Sequence, residues 1–182
     1  MNEYVTVLRA LEFAAERHSE QRRKDAAASP YVNHLIAVAH ILAAAGSVND
    51  SELLAAAALH DAVEDTGLTM AELAERFGPV IAGLVAEVTD DKSLPKAERK
   101  RLQEEHAPHL SARARQLKIA DKISNLRDVT EHPPADWSFE RRREYMHWCA
   151  RVVNGCRGVN PGLDAAFDDV YRRAEAVFGG RG

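Results

Sequence analysis

Residues 55–66 read AAAALHDAVEDT, and the rest of the chain is best read outward from them. The stretch opens as an apolar, alanine-rich helix. It then places four ionisable groups, His60, Asp61, Glu64 and Asp65, within six residues. Residues four apart on a helix share a face, so a continuous helix sets His60 over Glu64 and Asp61 over Asp65. An imidazole beside a carboxylate is a ligand pair that Mn, Fe and Zn ions accept. Two further carboxylates one turn on can orient or deprotonate a water. An isolated His-Asp dipeptide is usually a solvated helix end, so the case for chemistry depends on the other segments.

Alanine and leucine dominate around this stretch, and long runs of Val, Ile and Thr are absent, which predicts an all-α chain. Apolar spacing predicts helices over residues 4–18, 31–45, a third entered from Asp50 and running to about 66, 69–77, 79–89, 94–106, 111–130, 138–156 and 160–178. Together they form a bundle of about ten helices. The first should bury Val7, Leu8, Leu11, Ala14 and Ala15, and the last Leu163, Phe167, Val170 and Val177. Asp50, Thr69 with Glu72, Ser111 and Ser138 have the spacing of helix N-caps. Residues 21–30, 106–109 and 132–136 read as loops, and Pro30 biases Ser29 away from helix.

Length and composition limit the possibilities. The 182 residues, 46% hydrophobic and 29% charged, are expected to form one domain over residues 1–182. A formal net charge of −4 makes no electrostatic trap for nucleic acid, so an anionic ligand would have to be met by local basic clusters or metal. The first residues lack a signal-peptide layout and no apolar run is long enough to span a bilayer, so neither nucleic acid nor membrane is expected as a partner. Cys149 and Cys156 lie seven apart on one helix, too far for a disulfide, and read as reduced thiols of a cytoplasmic protein.

Three further segments carry candidate chemistry. His34 stands near the start of the second helix. Asp121 follows Ile119-Ala120, where an unpaired carboxylate is costly and a metal or a lysine would relieve it. Basic residues gather at 21–24, at 96–101 and at 141–143. Arg141 and Tyr145 are one helical turn apart and can face one pocket, while Arg142 and Arg143 should point elsewhere, on the surface.

The order His34, His60-Asp61, Asp121 resembles the H…HD…D pattern of the HD-domain metal phosphohydrolases. The closer resemblance rests on RRKD, SPYVNH, ALHDAVEDT, VTDDKSLPKAERKRLQ, APH and KIADKISNLRD. These are similar to segments of the small hydrolases of the guanosine tetraphosphate alarmone, of the metazoan SpoT-homologue type, and of the hydrolase half of Rel/SpoT proteins. The likeness runs from about residue 5 to residue 175. It implies that His34, His60, Asp61 and Asp121 hold one Mn2+, with Fe2+ or Zn2+ as alternatives, and that Glu64 and Asp65 position and activate the attacking water. It implies Arg23 near a guanine base, Lys24 near phosphate, Asn125 at the ribose, and Lys96, Arg141 and Tyr145 as further substrate contacts. The implied reaction is cleavage of guanosine 3′,5′-bis(diphosphate), ppGpp, to GDP and pyrophosphate, with no synthetase activity. A 2′-phosphatase acting on NADPH is the alternative on the same metal site, and a non-catalytic HD binding module the third reading. Two positions depart from the family pattern. Leu35 replaces a proline after the first histidine, and residues 26–29 lack the usual glycine, which leaves the substrate-side loop less defined than the metal site.

Overall fold

The computed structural model describes residues 3–179. Ten α-helices and one short 3-10 turn, Ala107–His109, make up the regular structure of the described residues. The helices are α1 (Glu3–Arg17), α2 (Val32–Ala44), α3 (Ser51–Leu59), α4 (Ala62–Thr66), α5 (Met70–Phe77), α6 (Pro79–Val88), α7 (Lys96–His106), α8 (Ala112–Glu131), α9 (Phe139–Cys156) and α10 (Pro161–Phe178). The expected all-α bundle is what forms. Among the described residues the one β-bridge, between Arg22 and Pro30, closes the loop ahead of α2.

Two helices organise the core. In α3, Ala55, Ala56, Ala57, Ala58 and Leu59 are fully buried, because small side chains let α1, α2 and α6 close around it. Helix α8 is enclosed by α2, α6, α9 and α10, so Leu117, Ile119, Ala120, Ile123 and Leu126 are buried around much of its circumference. The predicted caps form. Asp50 Oδ1 accepts from the amides of Glu52 and Leu53 at 3.1 Å each. Thr69 and Glu72 make a reciprocal capping box, and Ser111 and Ser138 accept from the amides of Ala114 and Arg141.

Several expectations need correction. Residues 51–66 are not one helix: α3 stops at Leu59 and α4 starts at Ala62, with Asp61 at φ −99°, ψ −3° between them. Gly67, at φ 70°, then closes α4 in the left-handed region that favours glycine. Residues 107–109 form a 3-10 turn, not an open loop. Helix α1 buries Ala10, Phe13 and Ala14 while Leu8 is exposed, because Phe13 inserts against Phe77 with ring centroids 5.4 Å apart and rotates the stripe. In α10 the inward row runs Leu163, Phe167, Val170, Ala174, Phe178, and continuing that spacing places Val177 outside.

Candidate metal centre and adjoining cleft

The break between α3 and α4 brings His60 and Asp61 to one point. Neighbours on a straight helix diverge by about 100°. Here the turn relaxes at Asp61, in the bridge region of backbone space, and His60 Nε2 lies 3.1 Å from Asp61 Oδ2. His34, in the first turn of α2, directs its Nε2 to the same place, 3.3 Å from Asp121 Oδ1 of α8 and 3.7 Å from Asp61 Oδ2. His60 Nε2 lies 3.7 Å from Asp121 Oδ1. Ligand atoms of His34, His60 and Asp121 all fall within 4.8 Å of one another.

The outer edges of both imidazoles are tied. His34 Nδ1 meets Ser124 Oγ at 3.0 Å, and His60 Nδ1 meets the Ala57 carbonyl at 2.8 Å. A carbonyl only accepts, so His60 carries a proton on Nδ1 whatever its charge, and the neutral ring turns the Nε2 lone pair inward, the usual arrangement around a metal-ligating histidine. His60 Nε2 is buried and makes no hydrogen bond. The carboxylates are held as well. Tyr31 Oη donates to Asp61 Oδ2 at 2.6 Å, Lys122 Nζ to Asp121 Oδ2 at 3.0 Å, and Asn125 Nδ2 to Asp121 Oδ1 at 2.6 Å.

The electrostatics describe a site made for a cation. Burial opposes charge on His60, Asp61 and Asp121. Even so, the Asp61 and Asp121 carboxylates raise the His60 pKa well above the imidazole range. In return His60 and His34 depress Asp61, and Lys122 with both histidines depresses Asp121. Without an ion, the proton on His60 does a cation's work. Two imidazole nitrogens and two carboxylates fit a borderline divalent ion, which would displace that proton on binding.

Glu64 and Asp65 leave α4 in different directions. Glu64 Oε1 accepts from the Asp90 amide at 2.7 Å. Burial, outweighing that hydrogen bond and reinforced by Asp61 and Asp90, pushes its pKa up to about 7. Asp65 faces a cleft of about 470 Å³, where it pairs with Lys92 and accepts from Gln21 Nε2 at 2.8 Å.

The same cleft collects Arg23, Lys24, Lys96, Asn125 and Tyr145, together with Trp137. Arg23 is anchored by Asp128 of α8. Burial, followed by the cations Arg141, Lys24 and Arg99, lowers the Lys96 pKa, which marks a concentration of positive charge. Arg141 does not line this cleft. It lies over the Trp137 ring, 4.4 Å from its centroid, in an adjoining hollow of about 580 Å³. Arg142 is no simple surface residue either, since its guanidinium donates to the Pro134 carbonyl at 3.3 Å and steadies the loop that carries Trp137.

The sequence profile of the HD-domain family matches residues 10–147. A protein of Xenopus tropicalis named guanosine-3′,5′-bis(diphosphate) 3′-pyrophosphohydrolase MESH1 is 50% identical over 165 residues, 91% of this chain and 92% of its own. The chain belongs to the HD-domain family of MESH1-type proteins. The Homo sapiens protein of the same name is 48% identical over 94% of this chain and 96% of its own. A solved structure described as a metazoan ortholog of SpoT that hydrolyzes ppGpp and plays a role in starvation responses superposes with a TM-score of 0.89. That match has 46% identity and covers 92% of this chain and 94% of the other.

Sequence reasoning on this HD domain gave no role to Tyr31, Ser124, Gln21, Lys92 or Trp137. Spacing held a signal for two of them. Tyr31 precedes His34 by three residues and Ser124 follows Asp121 by three, the helical interval that shares a face. The others sit in loops, where no period reports a facing.

Proposed function

We propose that this chain is a Mn2+-dependent hydrolase that cleaves ppGpp to GDP and pyrophosphate, and pppGpp to GTP and pyrophosphate. One observation carries the reading: two imidazoles with tethered outer edges converge with two carboxylates beside a cation-lined cleft, and Glu64 stands next to them with a pKa near neutrality. His34, His60, Asp61 and Asp121 would hold the ion. When bound, a divalent cation acidifies a coordinated water and offsets charge on the phosphoryl group. Glu64 accepts the proton of the attacking water, a task that suits a carboxylate tuned toward the working pH. Water oxygen adds to the phosphorus attached at the ribose 3′-oxygen, that P–O bond breaks, and the 3′-oxygen leaves and takes up a proton. Asp65, fixed by Gln21 and Lys92, orients the water from the cleft side. Arg23, Lys24 and Lys96 offset phosphate charge. Asn125 contributes from the cleft wall by donating to Asp121, and Tyr145 by packing edge-on against Trp137, 5.2 Å between centroids. Arg141 acts across Trp137 from the adjoining hollow.

That hollow also favours a second reading. The cleft and the hollow share Lys96, Trp137 and Tyr145, which gives a dinucleotide room beyond one nucleotide. NADPH 2′-phosphatase activity on the same centre is therefore the competing reading.

Described helices include none long and apolar enough to cross a membrane. We read the chain as a cytoplasmic, single-domain enzyme without synthetase activity. The deciding assay uses metal-stripped protein re-supplied with Mn2+, Mg2+ or Zn2+, against ppGpp, NADPH and nucleoside monophosphates. Pyrophosphate release from ppGpp with Mn2+ is expected. Orthophosphate from NADPH as the main product would transfer the assignment to the second reading, and no turnover with any metal would end both. Incubation with GTP and ATP should yield no ppGpp.

A further inference from the structure

Glu64 is held from outside its own helix, and the chain of contacts that holds it can be followed outward. Its Oε1 accepts from the amide of Asp90, in the turn that follows α6. The carboxylate of Asp90 accepts in turn from Gln103 Nε2 of α7, at 2.6 Å. Apart from Lys92, which pairs with Asp65, the turn's remaining hydrogen bonds are its own: the Thr89 hydroxyl donates to the Val85 carbonyl, and the Ser93 amide and hydroxyl donate to the Asp91 carboxylate. A second brace comes from Lys118, whose buried amino group donates to the carbonyl of Val88, the last residue of α6. Behind the turn lies a cavity of about 200 Å³, distinct from the cleft and lined by Asp90, Arg99, Gln103, His106 and Lys118 among others. Gln103 Oε1 and Arg99 Nε are buried there without partners. The Gln103 amide group thus has its nitrogen committed to Asp90 and its oxygen buried without a partner.

Helix α7 itself is unusual in this fold. None of its residues is buried. It is attached through polar and cation–aromatic contacts: the Trp148 indole to the Lys100 carbonyl at 3.2 Å, Lys100 over the Trp148 ring at 4.6 Å, and Arg151 to Glu104 at 2.9 Å. Its first residue is Lys96, in the cleft. The Gln103–Asp90 bond therefore ties a lightly anchored, anion-facing helix to the carboxylate proposed as the base.

We propose that Gln103 is a positioning residue for Glu64, acting through Asp90. The bond to Asp90 fixes the turn, the turn fixes the Asp90 amide, and the amide occupies Glu64 Oε1 so that Oε2 is presented to the attacking water. Gln103 touches neither substrate nor metal, so its loss acts on turnover and not on binding. A misplacement of ~1 Å at a reacting group can cost ~100-fold, so a partial loosening is expected to cost about 10-fold. The inference rests on the assignment of Glu64 as base, and the test separates the two.

The test measures pyrophosphate release from ppGpp, with Mn2+ present, for Gln103→Leu, Gln103→Lys, Glu64→Gln and the Glu64→Gln/Gln103→Leu double variant, with thermal melts of each. Gln103→Leu should lower kcat about 10-fold and leave KM and Mn2+ affinity within about 2-fold. Gln103→Lys, which keeps a donor for Asp90, should restore most of the turnover. The double variant should be no slower than Glu64→Gln alone, because the clamp has nothing left to position. Full turnover in Gln103→Leu, a loss expressed in KM, or an equal further loss in the Glu64→Gln background overturns the clamp while leaving the base in place. Wild-type turnover in Glu64→Gln removes the base itself. Should the leucine variant melt early, failure of the lysine variant to restore kcat at a wild-type melting temperature overturns the clamp.

Discussion

The two ends of the site are built from different parts of the fold. At the inner end, His34, His60, Asp61 and Asp121 come from α2, the α3–α4 junction and α8, and the side chains of His34 and His60 are 1% and 6% exposed. At the mouth, Arg23, Lys24 and Lys92 stand on loops and Lys96 begins a helix with no buried residue; the Lys92 side chain is 47% exposed. The inner end is fixed by core packing, so moving a ligand there means disturbing α3 or α8. Charge and short hydrogen bonds hold the mouth, and these are weaker and sensitive to salt. The proposed function would thus place chemistry where the backbone is rigid, and substrate capture where it can adapt.

Removing an inner ligand should have the largest effect. His60→Ala or Asp121→Ala is expected to abolish both Mn2+ binding and turnover. Ligand bound to the native state stabilises by ~2.7 kcal/mol at a hundredfold excess over Kd. Added Mn2+ should therefore raise the melting temperature of the wild type and leave that of either variant unmoved. A Mn2+-dependent rise in His60→Ala would mean that the ion binds elsewhere.

Glu64 lies at the boundary between the two ends. Glu64→Gln is expected to retain Mn2+ and lose ~10²–10⁴-fold in kcat. The sign of its pH dependence follows from its raised pKa. A base must be ionised, and a bound cation favours the carboxylate, so with Mn2+ present kcat/KM should fall as pH drops through a value below the about 7 that burial gives Glu64 without an ion. The acid limb should vanish in Glu64→Gln. Persistence of the limb would assign it to another group.

How far the sequence could be read follows the same division. Helices and caps were legible because core helices impose a period, whereas the grouping of His34, His60, Asp61 and Asp121 came from the resemblance to HD-domain hydrolases and not from spacing. The break at Asp61 was not legible, since nothing in AAAALHDAVEDT interrupts helical propensity; the convergence of His60 and Asp61 with α2 and α8 overrides it. Arg141 and Tyr145 do share one hollow, as their spacing implies; what helical spacing does not show is that the cleft takes Tyr145 and leaves Arg141 on the far side of Trp137. Arg142 does point away from the cleft, but the loop carbonyl it donates to is a partner that no period predicts.

Ser124 touches the outer edge of His34, one contact away from where the proposed ion would sit, and its effect should be smaller. Ser124→Ala is expected to weaken Mn2+ binding ~10–100-fold, the usual cost of losing an outer partner of a ligating histidine, with kcat recovered at saturating Mn2+. A titration of activity against Mn2+ measures both. Unchanged affinity would show that the packing of α2 alone orients His34.

The mouth should give the smallest and most salt-dependent effect. A polyanionic substrate has to approach a chain with 28 acidic and 24 basic residues, so attraction must come from the local arrangement of Arg23, Lys24 and Lys96 around the cleft. A cleft of one charge sign raises association ~10-fold or more, and added salt weakens this. Lys24→Ala is therefore expected to raise KM for ppGpp by ~10-fold or less, leave kcat nearly unchanged, and flatten the dependence of kcat/KM on ionic strength. Arg142 makes a poor control because it steadies the loop that carries Trp137. Arg173 is the better one: its side chain is 68% exposed on α10, pairs with Asp169 and does not line the cleft. If capture were a matter of overall charge, Lys24→Ala and Arg173→Ala would shift the salt dependence equally, because each removes one positive charge. If the cleft focuses charge, only Lys24→Ala shifts it. Measuring kcat/KM from low to high ionic strength in both variants decides between a mouth that works by position and one that works by charge alone.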